Sequence, residues 1–167
     1  MKILFSMLFL GCAQCVAATP SSQAIDACLK TESTRTAHYT EFSATNFNVE
    51  EDEDLQLTAT TFKHRDQTLG LWETAKPKDF GLVYNTSKVT RNKVVAIGTD
   101  SPMPFDPYTA QWGEVRHGRN RYLCITFNFP GLGQSGSFQN VRGLYLIDVG
   151  KPPKFYYTVG DIRAFKN

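Results

Sequence analysis

A glycine-rich loop, three histidines, four cysteines, one run of five acids and one cluster of arginines are the residues of this chain whose types and spacing could do chemistry. Gly131-Leu132-Gly133-Gln134-Ser135-Gly136 spells Gly-x-Gly-x-x-Gly. That loop cradles a pyrophosphate when it follows a strand and opens a helix. Residues 137–141 carry no helical pattern and no βαβ unit surrounds them, so the stretch reads as a flexible connection between strands, and no cofactor is expected. Phe138 at its far end is either a core anchor or an exposed contact. His38, His64 and His117 sit singly, without metal-ligand spacing or a His-Glu-x-x-His helix, and there is no Gly-x-Ser-x-Gly elbow. The chain therefore reads as a binding protein rather than an enzyme, with no metal.

Glu50, Glu51, Asp52, Glu53 and Asp54 form the acid run. It lacks the glycine and terminal glutamate of a calcium loop, which leaves a solvated hairpin turn or an acidic projection that meets a basic protein partner. Arg116, Arg119 and Arg121 flank a turn at His117, with Trp112 and Tyr122 close by in sequence. Basic residues interleaved with aromatics are a footprint of anionic ligands. In an exported protein these would be an acidic protein surface, a cell-wall polymer or a lipid head group; equally, charged turns are common at sheet ends. The formal net charge of +2 gives no reason to expect nucleic acid.

Export is expected from the first eighteen residues. Lys2, an apolar run at residues 3–10 and small residues ending at Ala18 match a cleavable secretory signal too short to span a membrane. A bacterial, periplasmic or secreted protein follows, with residues 19–167 as a single β-rich domain. Phe9-Leu10-Gly11-Cys12 offers an alternative, a lipid anchor at Cys12, but that would leave Cys15 as an odd thiol. Cleavage after Ala18 leaves Cys28 and Cys124, 96 positions apart, which an oxidising compartment would join. Closing so long a loop contributes on the order of 4 kcal/mol through chain entropy. Charge is unevenly divided: residues 19–80 hold 6 basic and 11 acidic side chains, and residues 81–167 hold 11 basic and 5 acidic. Either the halves pack together and neutralise one another, or one polarised face meets a charged partner.

The elements that must position these residues are mostly strands. Residues 23–31 carry a helical stripe through Ala24 and Cys28, with Ser21 or Ser22 as cap. A helix of about ten residues is marginal alone, so packing or the disulfide must hold it. Strands are expected at 37–43, at 55–64 with Leu55, Leu57, Ala59 and Thr61 on one face, at 68–74 and 81–84, and at 92–98 as an interior strand. Three prolines make 99–107 a rigid loop, whose Met103 and Phe105, with the following Tyr108, either fold back onto the core or present a contact surface. After a strand at 110–115, residues 122–129, 141–149 and 155–159 read as a meander. Leu123, Ile125, Phe127 and Phe129 would face the core, and Cys124 would face the helix. The expected architecture is mostly β (α+β): an antiparallel sheet or meander with one short N-terminal helix packed across it and stapled by a disulfide. A monomer or weak dimer is expected, serving as an inhibitor or immunity protein against a secreted toxin or envelope hydrolase. The alternatives are an accessory subunit of an envelope assembly or, less favoured, a small periplasmic hydrolase.

Overall fold

A computed structural model of the protein describes residues 19–129 and 140–164; the leader with Cys12 and Cys15, the glycine-rich loop and Phe138 lie outside the described residues. In chain order the elements are α1 (Ser22–Lys30), β1 (Ala37–Glu41), β2 (Asn48–Asp52), β3 (Leu57–His64), β4 (Gln67–Thr74), β5 (Asp79–Tyr84) and β6 (Ser87–Thr90). A 3-10 turn (Arg91–Lys93) then leads to β7 (Val94–Ala96), β8 (Gln111–His117), β9 (Asn120–Asn128), β10 (Val141–Asp148) and β11 (Lys154–Asp161).

The strands form two sheets. Sheet A has the order β1-β8-β9-β10-β11-β7 and sheet B the order β2-β3-β4-β5-β6. Their facing surfaces share one core, in which Phe62, Leu69, Leu71 and Leu82 of sheet B meet Trp112, Leu123, Ile125, Phe127, Tyr145 and Tyr157 of sheet A. The expected β9-β10-β11 meander is present and β8 extends it, and alternation along β9 works as read: Leu123, Ile125 and Phe127 face sheet B, while Tyr122 and Cys124 face α1.

Helix α1 covers the outer face of sheet A. Ser21 caps it, its hydroxyl accepting from the Ala24 amide at 3.2 Å, and Thr31 ends it in the left-handed region at φ 56°. Ala24, Ala27, Cys28 and Leu29 are buried against Val115, Leu144, Leu146 and Tyr156. Two of its last carbonyls find donors on the sheet. Thr126 Oγ1 donates to Cys28 O at 2.9 Å, and Arg142 Nη1 donates to Leu29 O at 2.8 Å. The Cys28–Cys124 disulfide joins the same two layers, with a Cα–Cα separation of 5.7 Å.

Three expectations are corrected. The acid run is not a hairpin turn: Glu50, Glu51 and Asp52 lie in β2, the exposed edge strand of sheet B, and only Glu53 and Asp54 occupy the turn beyond it. Both side-chain rows of an edge strand can reach water, so acids are tolerated there. Residues 94–96 form an edge strand rather than an interior one, parallel to β11, with Val95 exposed. In β3 the alternating set Leu57 and Ala59 packs with Trp72 and Val83 on the outer face of sheet B. Leu55 precedes the strand and is exposed, and Phe62 supplies the contact with the main core. Periodicity alone could not tell which apolar face met the other sheet.

One end of the sandwich is closed by a buried carboxylate. Glu114, whose side chain is 6% exposed, accepts from Arg116 Nε at 2.8 Å, Arg121 Nη2 at 2.8 Å and Arg65 Nη1 at 3.1 Å. Arg65 sits in the β3–β4 turn, so the ion pair crosses from sheet B to sheet A. Burial pushes the Glu114 carboxyl up, but the hydrogen bonds from Arg116 and Arg121 and the nearby positive charges outweigh it and hold the group below the usual glutamate range.

Two stability measurements check these ties. Cys124→Ser should lower unfolding free energy by roughly 2–5 kcal/mol, and mass analysis under non-reducing conditions should find no alkylatable thiol at Cys28 or Cys124 in the native protein. Because Glu114 has a lower pKa folded than unfolded, its contribution is complete above the unfolded glutamate range and is lost as pH falls through the folded value. Glu114→Gln should therefore cost roughly 3 kcal/mol at neutral pH, the low end for breaking a buried pair since Arg65 and Arg116 stay partly in water, and should flatten the acid limb of a denaturation series.

Candidate functional site

At the other end of β3 the core-facing surface of sheet B turns polar. Registry aligns Glu51 with Thr58, Thr58 with Glu73 and Glu73 with Phe80 across four strands. Cross-strand partners share a face, and Phe80 and Leu71 on that face belong to the core. The row therefore marks where the two sheets part. Neither Glu51 nor Glu73 makes a side-chain hydrogen bond or ion pair with another described residue, and both are exposed.

The proline-rich loop forms the opposite wall. Phe105 is only 5% exposed, and its ring packs against Phe127, Tyr145 and Trp112 at centroid distances of 5.3, 5.7 and 5.9 Å. Two hydrogen bonds fix the backbone beside it: Tyr145 Oη donates to Met103 O at 2.7 Å, and Trp112 Nε1 donates to Pro107 O at 3.2 Å. Burial, with Tyr157 alongside, pushes the Tyr145 hydroxyl far above its usual pKa, so it remains a protonated donor. Asp106 shapes the next turn by accepting from the Tyr108 amide at 2.9 Å and from Thr109 Oγ1 at 3.1 Å. The loop thus divides the three expected contact residues. Phe105 is the anchor, whereas Met103 and Tyr108 are exposed, Tyr108 at 59% with its ring 4.5 Å from that of Phe47.

Between these walls lie two adjoining hollows of about 380 and 320 Å³, which share Thr58, Glu73 and Pro104. Leu71, Phe105, Pro107 and Tyr108 give the first an apolar lining with Glu73 and Asp106 at its edge. Phe80 lies in the second, with Lys78 and Asp79; Asp79 is paired with Arg91 at 3.3 Å. The site is a groove with an apolar floor and one unpaired carboxylate, Glu73, in its lining. It can seat an extended segment carrying apolar side chains and at least one cation.

Residues 104–108 of the proline-rich loop line the groove, Glu51 stands beside it as the cross-strand partner of Thr58 without lining either hollow, and the structure adds Glu73, which nothing in the local sequence singled out. Glu50 and Asp52 sit on the opposite face of β2 from Glu51. Glu50 accepts from Asn48 Nδ2 at 2.9 Å, and Asp52 accepts from the Leu55 amide at 3.1 Å. The histidines remain apart. His117 and His38 each meet a serine, Ser21 at 3.1 Å and Ser33 at 3.3 Å, but Ser21 is engaged as the helix cap and Ser33 Oγ accepts from the Tyr39 amide. His64 stacks on Phe42 with centroids 3.7 Å apart. No group of three or more His, Cys, Asp or Glu poised to hold a metal occurs among the described residues, and no described helix is long and apolar enough to cross a membrane.

Tyr145→Phe tests whether the loop wall is preorganised. Loss of the Met103 hydrogen bond should cost about 1 kcal/mol of stability and speed amide exchange at residues 106–110, leaving exchange in β9 unchanged.

No protein-family model, no curated protein and no solved structure matches the chain.

Proposed function

We propose that the protein is an exported, non-catalytic binding module, an inhibitor or immunity protein that blocks a secreted toxin or an envelope hydrolase, and that the groove around Thr58 seats its partner. One observation carries this reading: the proline-rich loop at 104–108 and the Thr58–Glu73 row enclose one concavity with an apolar floor, and Glu51 of the acid run stands next to Thr58 on the same face. Its chemistry fits a basic segment of the partner, with a lysine or arginine between Glu51 and Glu73 and an apolar neighbour against Phe105 and Tyr108. The buried disulfide supports an oxidising compartment.

A second reading rests on β7. The edge of sheet A exposes Val95 beside a hollow of about 400 Å³ lined by Pro153, Phe155 and Tyr156, which suits the apolar contact of an accessory subunit.

Affinity purification of the tagged protein from its native envelope, with partners identified by mass spectrometry, separates these readings. The inhibitor reading expects one stoichiometric toxin or hydrolase whose activity falls on binding. The double variant Glu51→Lys/Glu73→Lys should weaken that complex by about tenfold or more, and added salt should weaken the wild-type complex in the same direction. Retention of the partner by the double variant and its loss from Val95→Glu would favour the accessory role instead. Turnover of a cell-wall or lipid substrate by the protein alone would overturn both.

A further inference from the structure

The arginine end of the sandwich holds more positive charge than its buried carboxylate requires. Arg116 and Arg121 already serve one oxygen of Glu114 each, and Arg65 adds a third guanidinium at 3.1 Å. One carboxylate among three arginines leaves a surplus of two positive charges. The Arg65 and Arg116 side chains are 55% and 64% exposed, and Glu114 is the only side chain that pairs with them among the described residues. Arg121 Nε is buried without a partner.

Two further features at this spot cost stability. Arg65 occupies a left-handed backbone position, φ 56°, where glycine or asparagine would be less strained. Arg116 stands directly opposite Arg121 in the β8–β9 register, a like-charge cross-strand pair. A clamp between the sheets needs only Arg65 and Glu114; Arg116 and Arg121, on the same sheet as the carboxylate, add positive charge that the clamp does not require. Forked donors held in place by a buried carboxylate are a preorganised receptor for a doubly charged tetrahedral anion, which would neutralise the surplus.

We propose that Arg65, Arg116 and Arg121, gathered around Glu114, form a binding site for a phosphate- or sulfate-type oxyanion. It is independent of the groove, which lies at the opposite end of β3, about 20 Å away along the strand. Nucleic acid is a poor fit because Trp112 and Tyr122, the aromatics beside the arginines in sequence, are buried and offer no stacking surface.

His64 provides a reporter. Burial, then the Arg65 charge, with Arg121 adding to it and Glu114 opposing, holds its imidazole below the usual histidine range. An anion on the arginines offsets that repulsion and raises the value. The test is an NMR titration of the full protein with inorganic phosphate at constant ionic strength, following arginine side-chain signals and the His64 ring. Saturable shifts at Arg65, Arg116 and Arg121 with an upward move of the His64 pKa are expected. Arg65→Asn, which suits the left-handed position, and Arg116→Gln should each stay folded and weaken affinity by about tenfold or more. Lys88→Ala, on β6, should leave it unchanged. A parallel arm with phosphatidic acid vesicles assigns the source: tighter binding there than to phosphate places the group on a lipid, and equal or weaker binding places it on a soluble ligand. Shifts that rise linearly without saturation, or that persist unchanged in Arg65→Asn, would overturn the proposal.

Discussion

Strand β9 buries six consecutive side chains, Tyr122 to Phe127, and so forces both faces of sheet A under cover. An antiparallel sheet with one solvated face would show alternation of buried and exposed residues; this one behaves more like the interior strand of a layered fold. Sheet B covers one face with an aromatic-rich core, and α1 covers the other. The helix is short, and its hold on the sheet depends on what reaches it from below: the disulfide at Cys124, the Thr126 hydroxyl and the Arg142 guanidinium. Once both faces are covered, the ends of the sandwich are the places where polar chemistry can collect.

The two ends are finished in opposite ways. At the Glu114 end the sheets are drawn together by charge, with arginine in the β3–β4 turn reaching a carboxylate on β8. At the Thr58 end they part, and the proline-rich loop fills the gap with Phe105 while leaving a groove. The uneven charge of the two halves of the sequence follows from this build. The acid-rich half supplies β2 to β4 and the start of β5 in sheet B, the base-rich half supplies five of the six strands of sheet A, and the Arg65–Glu114 pair crosses between them against the overall polarity.

Local signals carried much of this fold. The Ser21 cap, the stripe through Ala24 and Cys28, the pairing of Cys28 with Cys124 and the meander from β9 to β11 each rest on spacing within a few residues or on cysteine arithmetic. What escaped depends on contacts distant in sequence. The placement of β7 beside β11 joins residues about sixty positions apart through a three-residue parallel pair, and no periodicity announces it. Sheet B has apolar residues on both faces, so the alternation through Leu57 and Ala59 did not say which face the core would take, and Phe62 supplies that contact. For the groove, its two walls were readable as segments, but their convergence and the part played by Glu73 required the registry of three strands. Glu114 did leave a trace. It lies on the same phase as Trp112, an ionisable residue in the core-facing row of a strand, and that position demands a charged partner.

The acids of β2 also govern how copies of this protein treat one another. β2 is the outermost strand of sheet B, and its far side has no strand partner among the described residues, so its amides and carbonyls could accept a strand from a neighbouring molecule. Three of its five residues are carboxylates, all exposed. Two such edges brought side by side would bring the carboxylates at 50–52 together, which disfavours edge-to-edge growth. A partner presenting cations meets no such barrier. The same carboxylates that repel self-association leave this edge open to a basic strand, and high salt, by screening them, would weaken both effects together.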